Sequence, residues 1–150
     1  MKGRDLEALR KLVAEDPGDP AFYDLARALS GQKSTLKEAQ FIVIRGINSN
    51  PSHLKARLLL AKIYYSQELV EFAVRELIEL YRQSKDQSIK ELIESFGAIG
   101  LEYIEAYSPI FDSSALIKLQ NDKESESEVL AEIKIEQNFD DVLNEFDESD

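Results

Sequence analysis

The chain contains no cysteine, so neither a disulfide framework nor a thiolate metal site can form. That absence fits a reducing compartment. There is a single histidine, His53, which nearly excludes His-based metal clusters and His–carboxylate pairs. Six glycines among 150 residues form no Gly-rich loop that could cradle phosphate, and no strand precedes one. No stretch approaches the roughly 20 apolar residues that crossing a bilayer requires. The opening Met1-Lys2-Gly3-Arg4-Asp5 lacks the apolar run of a signal peptide. The reading is a soluble, cytoplasmic chain with no metal, no cofactor and no catalytic constellation, and therefore not an enzyme. His53, just after a proline corner, reads as a surface residue near a helix start.

Excess positive charge is also missing. The formal net charge is -11, and it is unevenly spread. Residues 121–150 hold twelve acidic residues and two lysines, whereas 1–120 carry 17 acidic and 16 basic ones. The body is nearly neutral and shows no basic footprint for nucleic acid. An anionic membrane surface would repel the tail. The acidic run lacks the glycine and the oxygen-ligand spacing of a calcium loop.

What is present is a repeat. Pro17 and Pro51 lie 34 residues apart, as do Ala39 and Ala73. Leu9, Val43 and Leu77 form a ladder at the same 34-residue step, and Leu12, Gly46 and Leu80 form another. Each repeat contains two helical patterns. Phe22, Leu25, Ala26 and Leu29 make one apolar stripe, Ser30-Gly31-Gln32 breaks it, and Leu36, Ala39, Ile42, Val43 and Ile47 make the next. The following repeat places Leu60, Ala61 and Tyr64 on one face between Leu54 and Tyr65. It breaks at Ser66-Gln67-Glu68 and resumes with Val70, Ala73, Val74, Leu77, Ile78 and Tyr81. The corners at Asp16–Pro20 and Asn48–Ser52 cannot continue a helix, because proline removes a donor and clashes with the preceding turn. Ser34 and Ser52 are candidate N-caps.

On these residues the chain resembles the tetratricopeptide repeat (TPR) family. Leu60-Ala61-x-x-Tyr64 followed by Ala73-x-x-x-Leu77 carries the pattern. Phe22-x-x-Leu25-Ala26-x-x-Leu29 followed by Ala39-x-x-x-Val43, Gly46 and Pro51 repeats it. Small residues at Ala26, Ala39, Ala61 and Ala73 let the two helices of a hairpin approach closely. Arg57 stands where the family prefers tryptophan, and Lys85 where a closing proline is usual. The resemblance covers about residues 3–85. It implies an all-α, right-handed solenoid of antiparallel helical hairpins, and the residues beyond it add a C-terminal capping helix and an acidic tail.

Four segments are expected. Residues 1–16 form an N-terminal half-repeat or capping helix, and 17–85 form two TPR-like repeats. Residues 86–120 form a capping helix or degenerate third repeat, with one long helix from Ser88 to Tyr107, ended by Ser108-Pro109. Residues 121–150 are an acidic tail, disordered in isolation. Within the tail Phe139, Val142, Leu143 and Phe146 fall at helical spacing, with Asn138 and Asp141 as a capping pair. That stripe reads as a motif that folds on a partner, or more plainly as part of a solubilising tail.

The resemblance implies a concave groove lined by the first helices of the repeats. Carried over, it places Tyr23 and Arg27, and then Lys55, Leu58, Lys62 and Tyr65, along that groove. Two aromatic walls and three cations favour an acidic, partly apolar protein or peptide. The plainer alternative is that these cations are ordinary solvated charges. Some relatives hold chaperone C-termini with a Lys/Asn/Arg carboxylate clamp. Here Tyr23 and Leu59 stand where that subclass has lysine and asparagine. The expected function is a protein-interaction module, adaptor or scaffold. The alternatives are a structural or oligomerisation subunit, self-associating through the N-terminal helix or the tail, and a chaperone for a specific client.

Overall fold

The computed structural model of the chain describes residues 6–97 and 128–148, with side chains of the last helix described over 135–146. Every regular element among them is helical. In order they are α1 (Leu6–Glu15), α2 (Ala21–Leu29), a 3-10 turn (Lys33–Thr35), α3 (Leu36–Ser49), α4 (Leu54–Ser66), α5 (Val70–Ser84), α6 (Gln87–Glu94) and α7 (Glu128–Glu148). The expected all-α class holds. The chain divides into two compact units, Met1–Ala73 and Val74–Asp150, so that the boundary falls within α5. The repeats read over 17–85 run across it.

In the first unit α1 packs on α2, α2 on α3 and α3 on α4, and α2 also meets α4. The spacing of apolar residues dictates this. Phe22, Leu25, Ala26 and Leu29 of α2 are buried together, as are Ala39, Val43 and Gly46 of α3. The closest approach is at Gly46, where an added Cβ would run into the ring of Phe22. Glycine is thus required in mid-helix by the neighbouring ring, although it costs a helix roughly 0.5–1 kcal/mol relative to alanine. Phe22 also meets the His53 ring edge-on at 5.2 Å between centroids, so one side chain joins α2, α3 and the start of α4. At the surface, Arg10 of α1 forks onto Glu38 of α3 with two bonds of 3.0 Å. The hydrogen bond first, and the carboxylate charge second, raise the Arg10 pKa above its ordinary value.

The helix ends follow local chemistry. After α1, Gly18 N–H donates to Asp16 Oδ1 at 3.0 Å and Ala21 N–H to Asp19 Oδ1 at 2.9 Å, which closes the proline corner. Neither serine expected as an N-cap serves as one. Ser34 lies inside the 3-10 turn, and Thr35 precedes α3 with its hydroxyl donating back to Leu29 O at 2.6 Å. Ser52 bonds Asn50, and His53 caps α4 instead. At the other end of α4, Leu69 N–H donates to Tyr64 O and Glu68 N–H to Tyr65 O, with Glu68 at φ 65°. This is a Schellman closure with a non-glycine residue in the left-handed position.

The second unit is built from the rest of α5, with α6 and α7. Leu77 and Leu80 of α5 are fully buried. Asp86 caps α6, accepting from Ser88 N–H at 2.9 Å and Ser88 Oγ at 2.7 Å. The long helix expected from Ser88 to Tyr107 is interrupted. α6 stops at Glu94, Ser95 Oγ donates to Leu92 O at 2.6 Å, and Gly97 turns into the left-handed region at φ 68°. Residues 98–107 lie outside the described residues, as do Ser108-Pro109 and the stretch to 127.

The tail expectation is corrected. Residues 128–148 form one helix that packs on α6, and Ile135, Phe139, Val142 and Leu143 are buried. Phe139 meets Phe96 edge-on, with centroids 6.0 Å apart and planes at 83°. Asn138 and Asp141 lie in the interior of α7 and cap nothing. A segment of two turns would not hold alone. It holds here because its apolar stripe extends back to Ile135 and finds its cover within the same chain.

Two substitutions test this packing by urea denaturation with circular dichroism. Gly46→Ala is expected to destabilise the first unit by about 1–3 kcal/mol, because overpacking against a trapped ring outweighs the better helix propensity. Phe139→Ala is expected to cost about 3–5 kcal/mol, as for a fully buried aromatic; a loss under about 1 kcal/mol, the range of surface changes, would show that α7 is not part of the core.

Candidate interaction surface

The apolar pattern of α4 decides which of its side chains reach the surface. Ala56, Leu58, Leu59, Leu60, Ala61 and Ile63 are all buried, so α4 is apolar on almost every side. Leu58, expected on the groove, is fully buried and belongs to the core. Tyr23 is buried as well. Its ring stacks on His53 with centroids 5.7 Å apart and planes at 25°. The four remaining groove residues, Arg27 of α2 and Lys55, Lys62 and Tyr65 of α4, are half-buried. All four have polar, charged or ring neighbours within the molecule.

The charged side chains of α4 are of one sign. Between Leu54 and Ser66 lie Lys55, Arg57 and Lys62 and no acidic residue. Arg57 stands in the tryptophan position of the resemblance, and its Nη2 donates to Pro51 O at 3.3 Å. It braces the corner before α4.

No protein-family model, no curated protein and no solved structure matches this chain. The site therefore rests on the chemistry of its own residues. Among the described residues no three His, Asp or Glu side chains cluster closely enough to hold a metal ion, and no helix is long and apolar enough to cross a membrane.

The tail residues are placed differently from the expectation. Phe139, Val142 and Leu143 face inward and Phe146 is half-buried. The outward positions of α7 are Glu136, Gln137, Asp140, Asp141, Asn144 and Glu145, all acids or amides. Of the proposed tail motif, only Phe146 keeps part of its surface in solvent.

Two features were not read from the sequence. The first is His53, which is half-buried and is the N-cap of α4, its Nδ1 accepting from Ala56 N–H at 3.1 Å. The bond needs the neutral ring with Nδ1 unprotonated. Histidine is not among the favoured capping residues, so only its place directly before a helix-forming run hinted at the role. The second is a pair of exposed aromatics, Phe41 at 59% and Phe72 at 49%. Their signal was available: each is apolar, yet each falls off the buried stripe of its helix.

His53→Ala removes the cap bond and two ring contacts, and is expected to cost about 1–3 kcal/mol. His53→Asn restores an acceptor but not the stacking, and should recover part of that loss. Equal stability of wild type and His53→Ala in urea would show that the cap does not hold.

Proposed function

We propose that the chain is a protein-interaction module or adaptor, built as a TPR-like right-handed array of antiparallel helical hairpins. The order of helix contacts supports the array. α1 packs on α2, α2 on α3 and α3 on α4, and the two first helices of the proposed repeats, α2 and α4, also meet. The ladder residues Leu9, Val43 and Leu77 and the small residues Ala26, Ala39, Ala61 and Ala73 are all fully buried, as close hairpin packing requires.

The observation that carries the binding reading is the one-signed charge of α4. A helix that is buried on most sides, and whose charged residues are all cations, favours an acidic partner segment. The proposed contact set is Arg27, Lys55, Lys62 and Tyr65. Arg27 and the lysines engage carboxylates, and Tyr65 supplies apolar area to a flanking side chain. Tyr23 and Leu58 act from behind, by fixing α2 and α4. The outward face of α7 is the second element of the proposal, now as a preformed acidic helix face. A cytoplasmic location is part of the same proposal.

A structural or oligomerisation role is the second reading, favoured by the exposure of Phe41 and Phe72.

Peptide display against the full chain tests the first reading. The expected selection enriches acidic peptides carrying a large apolar residue. Arg27→Glu/Lys62→Glu is expected to abolish the enrichment while leaving the far-ultraviolet spectrum unchanged. Enrichment of basic peptides, or the same peptides on both proteins, would contradict it.

A further inference from the structure

Two exposed patches of the first unit carry complementary chemistry. On α3, Lys37, Phe41 and Arg45 are spaced by four residues, lie on one face of the helix and are all exposed. The Arg45 guanidinium lies 5.3 Å from the centroid of the Phe41 ring, which is still more than half exposed. The only acid of α3, Glu38, is engaged by Arg10. This patch is an aromatic ring set between cations.

The second patch lies at the corner from α4 to α5. Leu69 is 39% exposed, and the rings of Tyr64 and Phe72 lie 5.5 Å apart. Glu68 and Glu71 are exposed beside them, and no lysine or arginine occurs between residues 63 and 74. The Schellman closure holds this corner, with Glu68 in the left-handed region. This patch is an apolar surface rimmed by acids.

Both patches belong to one unit and both are exposed, so neither covers the other within the chain. We propose that a second copy of the chain covers them. The Lys37–Phe41–Arg45 face of one molecule seats on the Leu69–Phe72 corner of the other, with Lys37 and Arg45 meeting Glu68 and Glu71. A two-fold pair makes the contact twice, since each copy offers both halves. The patches are small against the roughly 1,200–2,000 Å² of a stable interface, so the pair is concentration-dependent. Its contacts are screened by salt. This surface shares no residue with Arg27, Lys55, Lys62 and Tyr65, so it stands or falls apart from the peptide-binding reading.

Sedimentation velocity of the full chain over a wide concentration range is the test. The expected wild type shows a monomer–dimer equilibrium that weakens at high salt. Phe41→Ser or Phe72→Ser raises the dissociation constant by about tenfold or more. Lys37→Glu/Arg45→Glu and Glu68→Lys/Glu71→Lys each abolish the dimer, and placing all four changes in one chain restores it. Circular dichroism confirms that each variant is folded. A wild type that stays monomeric at every concentration overturns the proposal. So does a dimer that survives both charge reversals, or one that the fourfold variant fails to restore.

Discussion

A phenylalanine ring lying where a side chain would otherwise stand sets the geometry of the first unit. Phe22 occupies the space left by the missing Cβ of Gly46, which brings α2 and α3 together closely. The same ring meets His53 edge-on, and His53 holds the first turn of α4 through its Nδ1. Three helices therefore take their places from one contact and one cap. Tyr23 is stacked on the same His53 ring and is buried. Everything proposed about the surface of α2 and α4 depends on this joint.

The architecture was more legible than the site. The residues of the 34-residue ladder, Leu9, Val43 and Leu77, are all fully buried, and the breaks read near Ser30 and Ser66 match the observed ends of α2 and α4. Periodicity encodes which side of a helix is apolar, and that survives in a single sequence. The second ladder was less faithful, because Leu12 on the first helix is partly exposed while Gly46 and Leu80 are buried. Site residues depend on which faces of a helix acquire neighbours. α4 acquires them almost all round, so Leu58 went inside despite its groove position in the resemblance. The tail was misread for a related reason: an acidic segment with a short apolar stripe looks unsupported until Phe96 is placed against Phe139. Local composition also favoured serine over His53 as the cap, and missed the stop of α6 at Glu94 and the left-handed Gly97 that follows it.

Charge and exposure separate the surfaces. Cations concentrate on α4 and on one face of α3, whereas acids rim the α4–α5 corner and fill the outward side of α7. Such a distribution does little for stability, since exposed ion pairs contribute about 0–1 kcal/mol. Its physical consequence is selectivity, because like charges brought together cost more than unlike charges gain. The chain thus combines an apolar interior, which the repeat pattern specifies, with surfaces on which cations and acids are kept apart.

The joint at Phe22 is accessible to direct observation by nuclear magnetic resonance in solution. Gly46 Hα protons beside an immobilised aromatic ring are predicted to resonate upfield of the usual glycine position and to show strong Overhauser contacts to the Phe22 ring. Unshifted Gly46 Hα signals without those contacts would contradict the account of how α2, α3 and α4 are held.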